Sequence, residues 1–316
     1  MSLSSHVVAA GLTDPGRVRE SNEDALLMDA GAGLYAVADG MGGHNAGEVA
    51  SRLAIETLSE FVKTSASDSG ITWPYGFNTT LAFEANQLKS AVQLANHQIR
   101  HRATQTPALD GMGSTIIAVL ARRDDVCFAN VGDSRLYRWR GGALEQVSED
   151  DSWAASMLKA GADPGYVRSH AMRHMLTRAL GSDQALDVDV RHVATEPGDL
   201  LLLCSDGLYG PLGDAGIAKV LAAPHATLDE AAAGLIQAAN DAGGPDNVTV
   251  ILLRMGPTDG ARARSRAAGE QGQALSEYLV AAGVLVAVGL AAAGMLMKMF
   301  QMLVSRIAYE VQFLSP

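Results

Sequence analysis

Cysteine is nearly absent: Cys127 and Cys204 are the only two in 316 residues. With so few thiols, and no His/Cys cluster at ligand spacing, a disulfide scaffold and a zinc-finger type of site are excluded. Each cysteine sits inside an apolar run, so both read as reduced core thiols of a cytosolic protein, with a disulfide between them as the alternative. Basic residues are also scarce, 24 Lys and Arg against 35 Asp and Glu, for a net charge of −11. That balance disfavours a nucleic-acid partner, which needs a basic face, and suits a site that collects carboxylates. Neither a Gly-x4-Gly-Lys-Ser/Thr loop nor a Gly-x-Gly-x-x-Gly fingerprint occurs around the glycine-rich "ADGMGGHNAGE" (38–48), so a nucleotide-phosphate cradle is excluded there. The opening "MSLSSHVVAAGLTD" has no basic region and no long apolar core, so no signal peptide is expected.

Long hydrophobic runs are missing too, with one exception. Leu279 to Met297 carries no charge and is about as long as a bilayer-spanning helix requires. "RARSR" (262–266) precedes it, which by the positive-inside rule keeps that side cytoplasmic. The Ala and Gly content leaves a buried core helix as the alternative.

The rest of the chain reads as one domain. Short apolar runs bounded by Gly or Asp predict strands near 6–12, 24–30, 33–39, 114–121, 125–131, 134–140, 187–194, 199–205 and 247–254. Helical spacing predicts helices from just after residue 45 to about 63, then over 80–104, 214–222 and 228–242. Residues 150–183 read as mobile and helical in part. Strands grouped apart from paired helices indicate an α+β fold of antiparallel sheets, not a doubly wound one.

Five short stretches place Asp at the end of an apolar strand or on the turn beyond it: "NEDALL", "YAVADGMGG", "ANVGDSR", "LLLLCSDGL" and "GGPDNVTV". Any one of them is ordinary turn chemistry. Five together are different, because clustered carboxylates repel one another unless a cation lies between them. Carboxylates, a backbone carbonyl and water are the ligand set of Mg2+ or Mn2+.

In this order, "GRVRESNEDAL", "AVADGMGGHNAGEVAS", "GMGSTIIAVL", "FANVGDSRLYRWR", "HMLTRALG", "LLCSDGLYG" and "GGPDNVTVILL" resemble the bacterial branch of the metal-dependent PPM (type 2C) protein phosphatases over roughly residues 6–254. The resemblance implies a four-layer α-β-β-α sandwich and hydrolysis of phosphoserine and phosphothreonine in proteins, opposing a bacterial Ser/Thr kinase. It implies two Mn2+ or Mg2+ ions and a third, weaker one. Asp39 would bridge the first two, Gly40 would lend its carbonyl, and Asp206 and Asp246 would complete the shell. Glu23 would hold metal-bound water. Asp133 with Asp206 would take the third ion, with Asp24 close to that outer shell. Arg19 matches the arginine that grips substrate phosphate, and His44 a histidine near the substrate, which when protonated could donate to the leaving Ser or Thr oxygen. One departure stands out: Asp151 occupies the place of a histidine in an Asp-His-Ser stretch, which is expected to matter for the flap (150–183) and not for the metals.

The domain is therefore expected over 4–256, a linker over 257–273, a membrane helix over 274–298 and a short tail over 299–316. The catalytic part would face the cytoplasm, anchored to the inner membrane. "GQALSEYLVAAGVLV" also resembles the processing site of small Flp-type pilins, with a prepilin peptidase cutting after Gly272 and Glu277 five residues beyond; a permanent anchor is the alternative. A phosphoprotein-binding pseudophosphatase and a pilus- or secretion-associated membrane component are the competing functions.

Overall fold

The computed structural model describes residues 7–43, 46–67, 70–122, 125–182 and 185–256. The linker, the apolar segment after it and Gly272 lie outside these residues, and so does His44. Among the described residues, no helix is long and apolar enough to cross a membrane.

The chain opens with β1 (Val7–Asp14), β2 (Asp24–Asp29) and β3 (Leu34–Met41), followed by helices α1 (Ala46–Ser67) and α2 (Phe83–Gln105). Then come β4 (Gly113–Ser114), β5 (Ile116–Arg122), β6 (Asp125–Val131), β7 (Arg135–Arg140) and β8 (Ala143–Gln146). The flap carries two short helices, α3 (Trp153–Lys159) and α4 (Pro164–Ser169). The chain closes with β9 (Val190–His192), β10 (Leu200–Cys204), α5 (Asp206–Ala222), α6 (Leu228–Asp241) and β11 (Val248–Met255).

These form two antiparallel sheets. One has the order β1-β11-β10-β7-β8; the other runs β2-β3-β5-β6-β9, with β4 paired to β3. Strand alternation explains the layering, because successive side chains face opposite ways. On β3, Leu34, Ala36 and Ala38 pack under α1 and α2, while Tyr35 and Val37 turn toward the other sheet. On β10, Leu200, Leu202 and Cys204 pack under α5 and α6, while Leu201 and Leu203 turn inward. Three apolar layers thus separate four layers of structure, helices outside and sheets between.

Two details differ from the sequence expectation. β8 was not foreseen: Gly141 and Gly142 both take positive φ (57° and 85°), the geometry of a two-residue hairpin turn, so the chain folds straight back from β7. Helix α5 starts at Asp206 rather than at 214, and it is broken at Gly213 (φ 61°, ψ 171°). Its "DGLYGPLGD" start is so rich in Gly and Pro that it reads as loop.

Candidate metal centre

The inward-facing series on β3 does not end at Val37; the next member is Asp39, which sits directly across from Asp24 on β2. The inter-sheet layer therefore changes from apolar to acidic at one end. Asp24 is buried there and crosses to the opposite sheet. Its Oδ2 accepts from Ser205 Oγ and from Thr249 Oγ1, each at 2.7 Å. The hydroxyls of Thr249 and Thr13 are also 2.7 Å apart. Asp24 Oδ1 is buried with no partner, and Asp206 Oδ1 shares that condition.

Main-chain bonds hold Asp39 in place. Its N–H donates to Thr115 Oγ1 (3.0 Å), and its carbonyl accepts from Thr115 N (2.8 Å) and Ser114 Oγ (3.0 Å). Thr115 Oγ1 lies 2.7 Å from Ser134 Oγ, which joins the "GST" and "GDSR" stretches behind the site. Gly40 follows, and glycine is required by close approach: a Cβ there would stand 2.0 Å from Gly47 O and 2.7 Å from Glu23 O.

These residues line a cleft of about 580 Å3 together with Arg19, Glu23, Asp133, Asp206 and Asp246. Asp246 immediately precedes Asn247, whose side chain fastens the loop before β2. Asn247 Oδ1 accepts from Glu23 N (2.8 Å), and its Nδ2 donates to Pro15 O (3.0 Å) and Ser21 O (2.8 Å). Arg19 and Glu23 are thereby set on the rim. Arg19 Nη2 donates to Asp246 Oδ2 at 2.8 Å, with the arginine half exposed.

The electrostatics are those of acids crowded without enough cations. Burial, then the charges of Asp24, Asp206, Asp133 and Asp246, hold Asp39 well above the usual carboxylate range. Burial pushes Asp24 up to about 7 against its two hydroxyl donors, and burial with Asp206 pushes Asp133 up to about 7. Asp206 is raised by burial and by Asp246, and Glu23 by burial. Among the described residues no three such groups close into a ready-made cage.

The sequence-predicted residues therefore meet at one cleft, with three qualifications. Asp24 does not line it but lies beside Asp39 on the neighbouring strand, bonded to hydroxyls of the other sheet. Arg19 is engaged with Asp246. His44 lies outside the described residues. The substituted Asp151 reaches further than the flap: its Oδ2 accepts from Gly132 N (3.2 Å), next to Asp133, and its Oδ1 from Arg178 Nη2 (2.8 Å). Sequence reading missed Thr115, Ser134, Ser205, Thr249 and Asn247. Their signal was present only as the small polar residue beside each motif.

The protein phosphatase 2C family model matches residues 17–240. The serine/threonine protein phosphatase PstP of Mycobacterium tuberculosis is 37% identical over 245 residues, which cover 77% of this chain and 44% of that protein. The chain thus spans less than half of that relative's length. The serine/threonine phosphatase stp of Listeria monocytogenes is 35% identical over 249 residues, covering 76% of this chain and 93% of the relative. The solved catalytic domain of PstP in complex with two manganese ions superposes with a TM-score of 0.65 at 34% identity, over 80% of this chain and 99% of that one.

Proposed function

The chain belongs to the protein phosphatase 2C family, and on that premise we propose that it is a Mn2+- or Mg2+-dependent protein phosphatase acting on phosphoserine and phosphothreonine. The observation that carries this reading is the acidic end of the inter-sheet layer, where several buried carboxyls gather with no matching number of cations among the described residues. The donor set fits a hard divalent cation: carboxylate oxygens, a strand-end carbonyl at Gly40, and Asp206 Oδ1 buried without a partner. Asp39 would bridge two ions, with Gly40, Asp206 and Asp246 completing their shells, Glu23 holding a bound water, and Asp133 with Asp206 serving a third site. When bound, the ions would lower the pKa of a shared water and neutralise phosphoryl charge.

The protein's own groups supply the rest. Arg19 uses one Nη2 on Asp246 and keeps the remainder of its planar fork for phosphoryl oxygens. Asn247 sets its loop, and Thr115 and Ser134 fix the Asp39 main chain. Water adds at phosphorus while the bond to the Ser or Thr oxygen breaks, giving the alcohol and inorganic phosphate. No phosphoenzyme is needed, and the thiols are unsuited to form one: both are buried, and burial raises Cys204 far above the usual thiol range.

The test is hydrolysis of p-nitrophenyl phosphate and of a phosphothreonine peptide with Mn2+, with chelator, and in D206N. Activity that depends on Mn2+ and is lost in D206N is expected. Activity indifferent to both would overturn the reading.

The physiological setting follows from the same premise: a cognate Ser/Thr kinase as the opposing enzyme, residues 4–256 as the catalytic domain facing the cytoplasm, and residues 257–273 as a linker. The uncharged run within 274–298 supports an inner-membrane anchor, and Gly272 with Glu277 supports cleavage by a prepilin peptidase. Tags at both ends, blotted in cells with and without that peptidase, separate anchoring from processing.

A further inference from the structure

Breaking the ester bond leaves a seryl or threonyl alkoxide, a strong base that needs a proton as it departs. A positioned acid typically accelerates such a step by about 10²–10⁴-fold. Among the described residues, one imidazole lines the cleft, and it belongs to His174. Resting on the phosphatase reading above, we propose that His174 is the general acid that protonates the leaving oxygen.

The flap holds the main chain of this residue in a defined place. His174 lies in a turn closed by Met175 N donating to Met172 O at 2.9 Å. Trp153 N donates to Met175 O, and Thr177 N to Asp151 O, each at 2.8 Å, so the segment after the turn is laddered onto the start of the flap. The Trp153 ring stacks on His170 with centroids 4.2 Å apart, clamping the other side of the turn. Asp151, through Gly132 N and Arg178, ties this assembly to the loop that carries Asp133.

The remaining candidates in the cleft are poorly suited. Arg19 and Arg178 are guanidiniums, which do not release protons near neutral pH, and each is bonded to a carboxylate at 2.8 Å. Asp39, Asp133, Asp206 and Asp246 are the cation's ligands in this reading, and Glu23 has its water. His174 makes no hydrogen bond or ion pair among the described residues, although it acts electrostatically on Asp206. Its ring is thus exposed to the cleft and free to meet a substrate oxygen.

In the step, the P–O bond to Ser or Thr breaks and its electron pair passes to that oxygen. The imidazolium N–H proton follows, giving the neutral alcohol. The attacking water loses a proton to solvent, from which the imidazole is recharged.

The experiment compares two leaving groups on the full chain with Mn2+. In H174A, kcat on a phosphothreonine peptide should fall about 100-fold, while kcat on p-nitrophenyl phosphate, whose phenolate leaves without help, should change less than about threefold. H174Q, which keeps a donor but has no proton to transfer, should behave like H174A. Added imidazole should restore part of the H174A loss on the peptide. An equal fall on both substrates, no fall on either, or wild-type activity in H174Q would each overturn the proposal. A wild-type protein inactive on both substrates would instead defeat the phosphatase reading on which it rests.

Discussion

Strands β2 and β10, one from each sheet, are both flanked by aspartates, and the two ends of each strand are treated in opposite ways. At the cleft end, Asp24 and Asp206 are pushed above the ordinary carboxylate range, chiefly by burial. At the far end, Asp29 and Asp199 are held below it. Asp29 gains Lys63 (2.8 Å) and the N–H of Ala32 (2.9 Å). Asp199 is buried, which works against ionisation, yet Arg140 Nε at 2.6 Å and the N–H of Glu196 at 2.8 Å outweigh that cost. The far end is electrostatically settled within the protein. The cleft end is left unsettled, and the imbalance is what a divalent cation would resolve. Frustration confined to one end of an otherwise consistent fold is a mark of function.

The strongest way to break this contrast is a matched pair of substitutions. D206N should abolish Mn2+-dependent hydrolysis, by on the order of a thousandfold or more, while raising the melting temperature of metal-free protein, because it removes one repelling charge. D199N should do the reverse: activity stays near wild type and the melting temperature drops by about 4 °C. Calorimetric unfolding of both variants with chelator, beside their steady-state rates, decides it; a D206N protein less stable than wild type would show that the acidic end is not frustrated.

A pH profile sharpens the same contrast. Raised carboxyls favour the protonated folded state, so stability due to Asp24 and Asp133 is present below about pH 4 and is lost as pH rises toward 7. Depressed carboxyls act oppositely: the contribution of Asp29 and Asp199 is present above about pH 4 and is lost as pH falls below it. Metal-free protein should therefore melt highest in mildly acidic buffer, and saturating Mn2+ should move that optimum upward. An identical optimum with and without Mn2+ would break the picture.

The smallest effect is expected of D29N. Lys63 is more than half exposed, so the pair contributes only a few tenths of a kcal/mol. Denaturant melts should show that difference at neutral pH and none below the range where Asp29 titrates.

Much of this was legible in the sequence, for a reason that also marks its limit. An apolar strand beside an Asp-bearing turn announces itself, because both are local signals: Asp39 and Asp206 stand in Asp-Gly after their strands, Asp133 follows β6 beside Gly132, and Asp246 stands in the turn before β11. Thr115, Thr249 and Asn247 carry none. A threonine in a strand is ordinary, and only the packing of one sheet on the other brings Thr249 to Asp24. The reach of Asp151 was underestimated likewise, since its bond to Gly132 joins residues 19 positions apart. The short strand beyond Gly141–Gly142 is not legible in the sequence, because four residues offer too little alternation to register.

The hydroxyl cluster around Asp24 has a mechanical consequence. Thr13, Thr249 and Ser205 belong to β1, β11 and the end of β10, whereas Asp24 belongs to β2, so this polar stitch pins one sheet to the other at the cleft. Elsewhere the interlayer is greased by Val, Leu and Ile side chains that resist shear far less directionally. Thermal splaying of the sandwich should therefore begin at the end away from the cleft, like a book opening from its fore-edge while the spine stays bound. The width of the cleft is then insulated from the breathing of the rest of the fold.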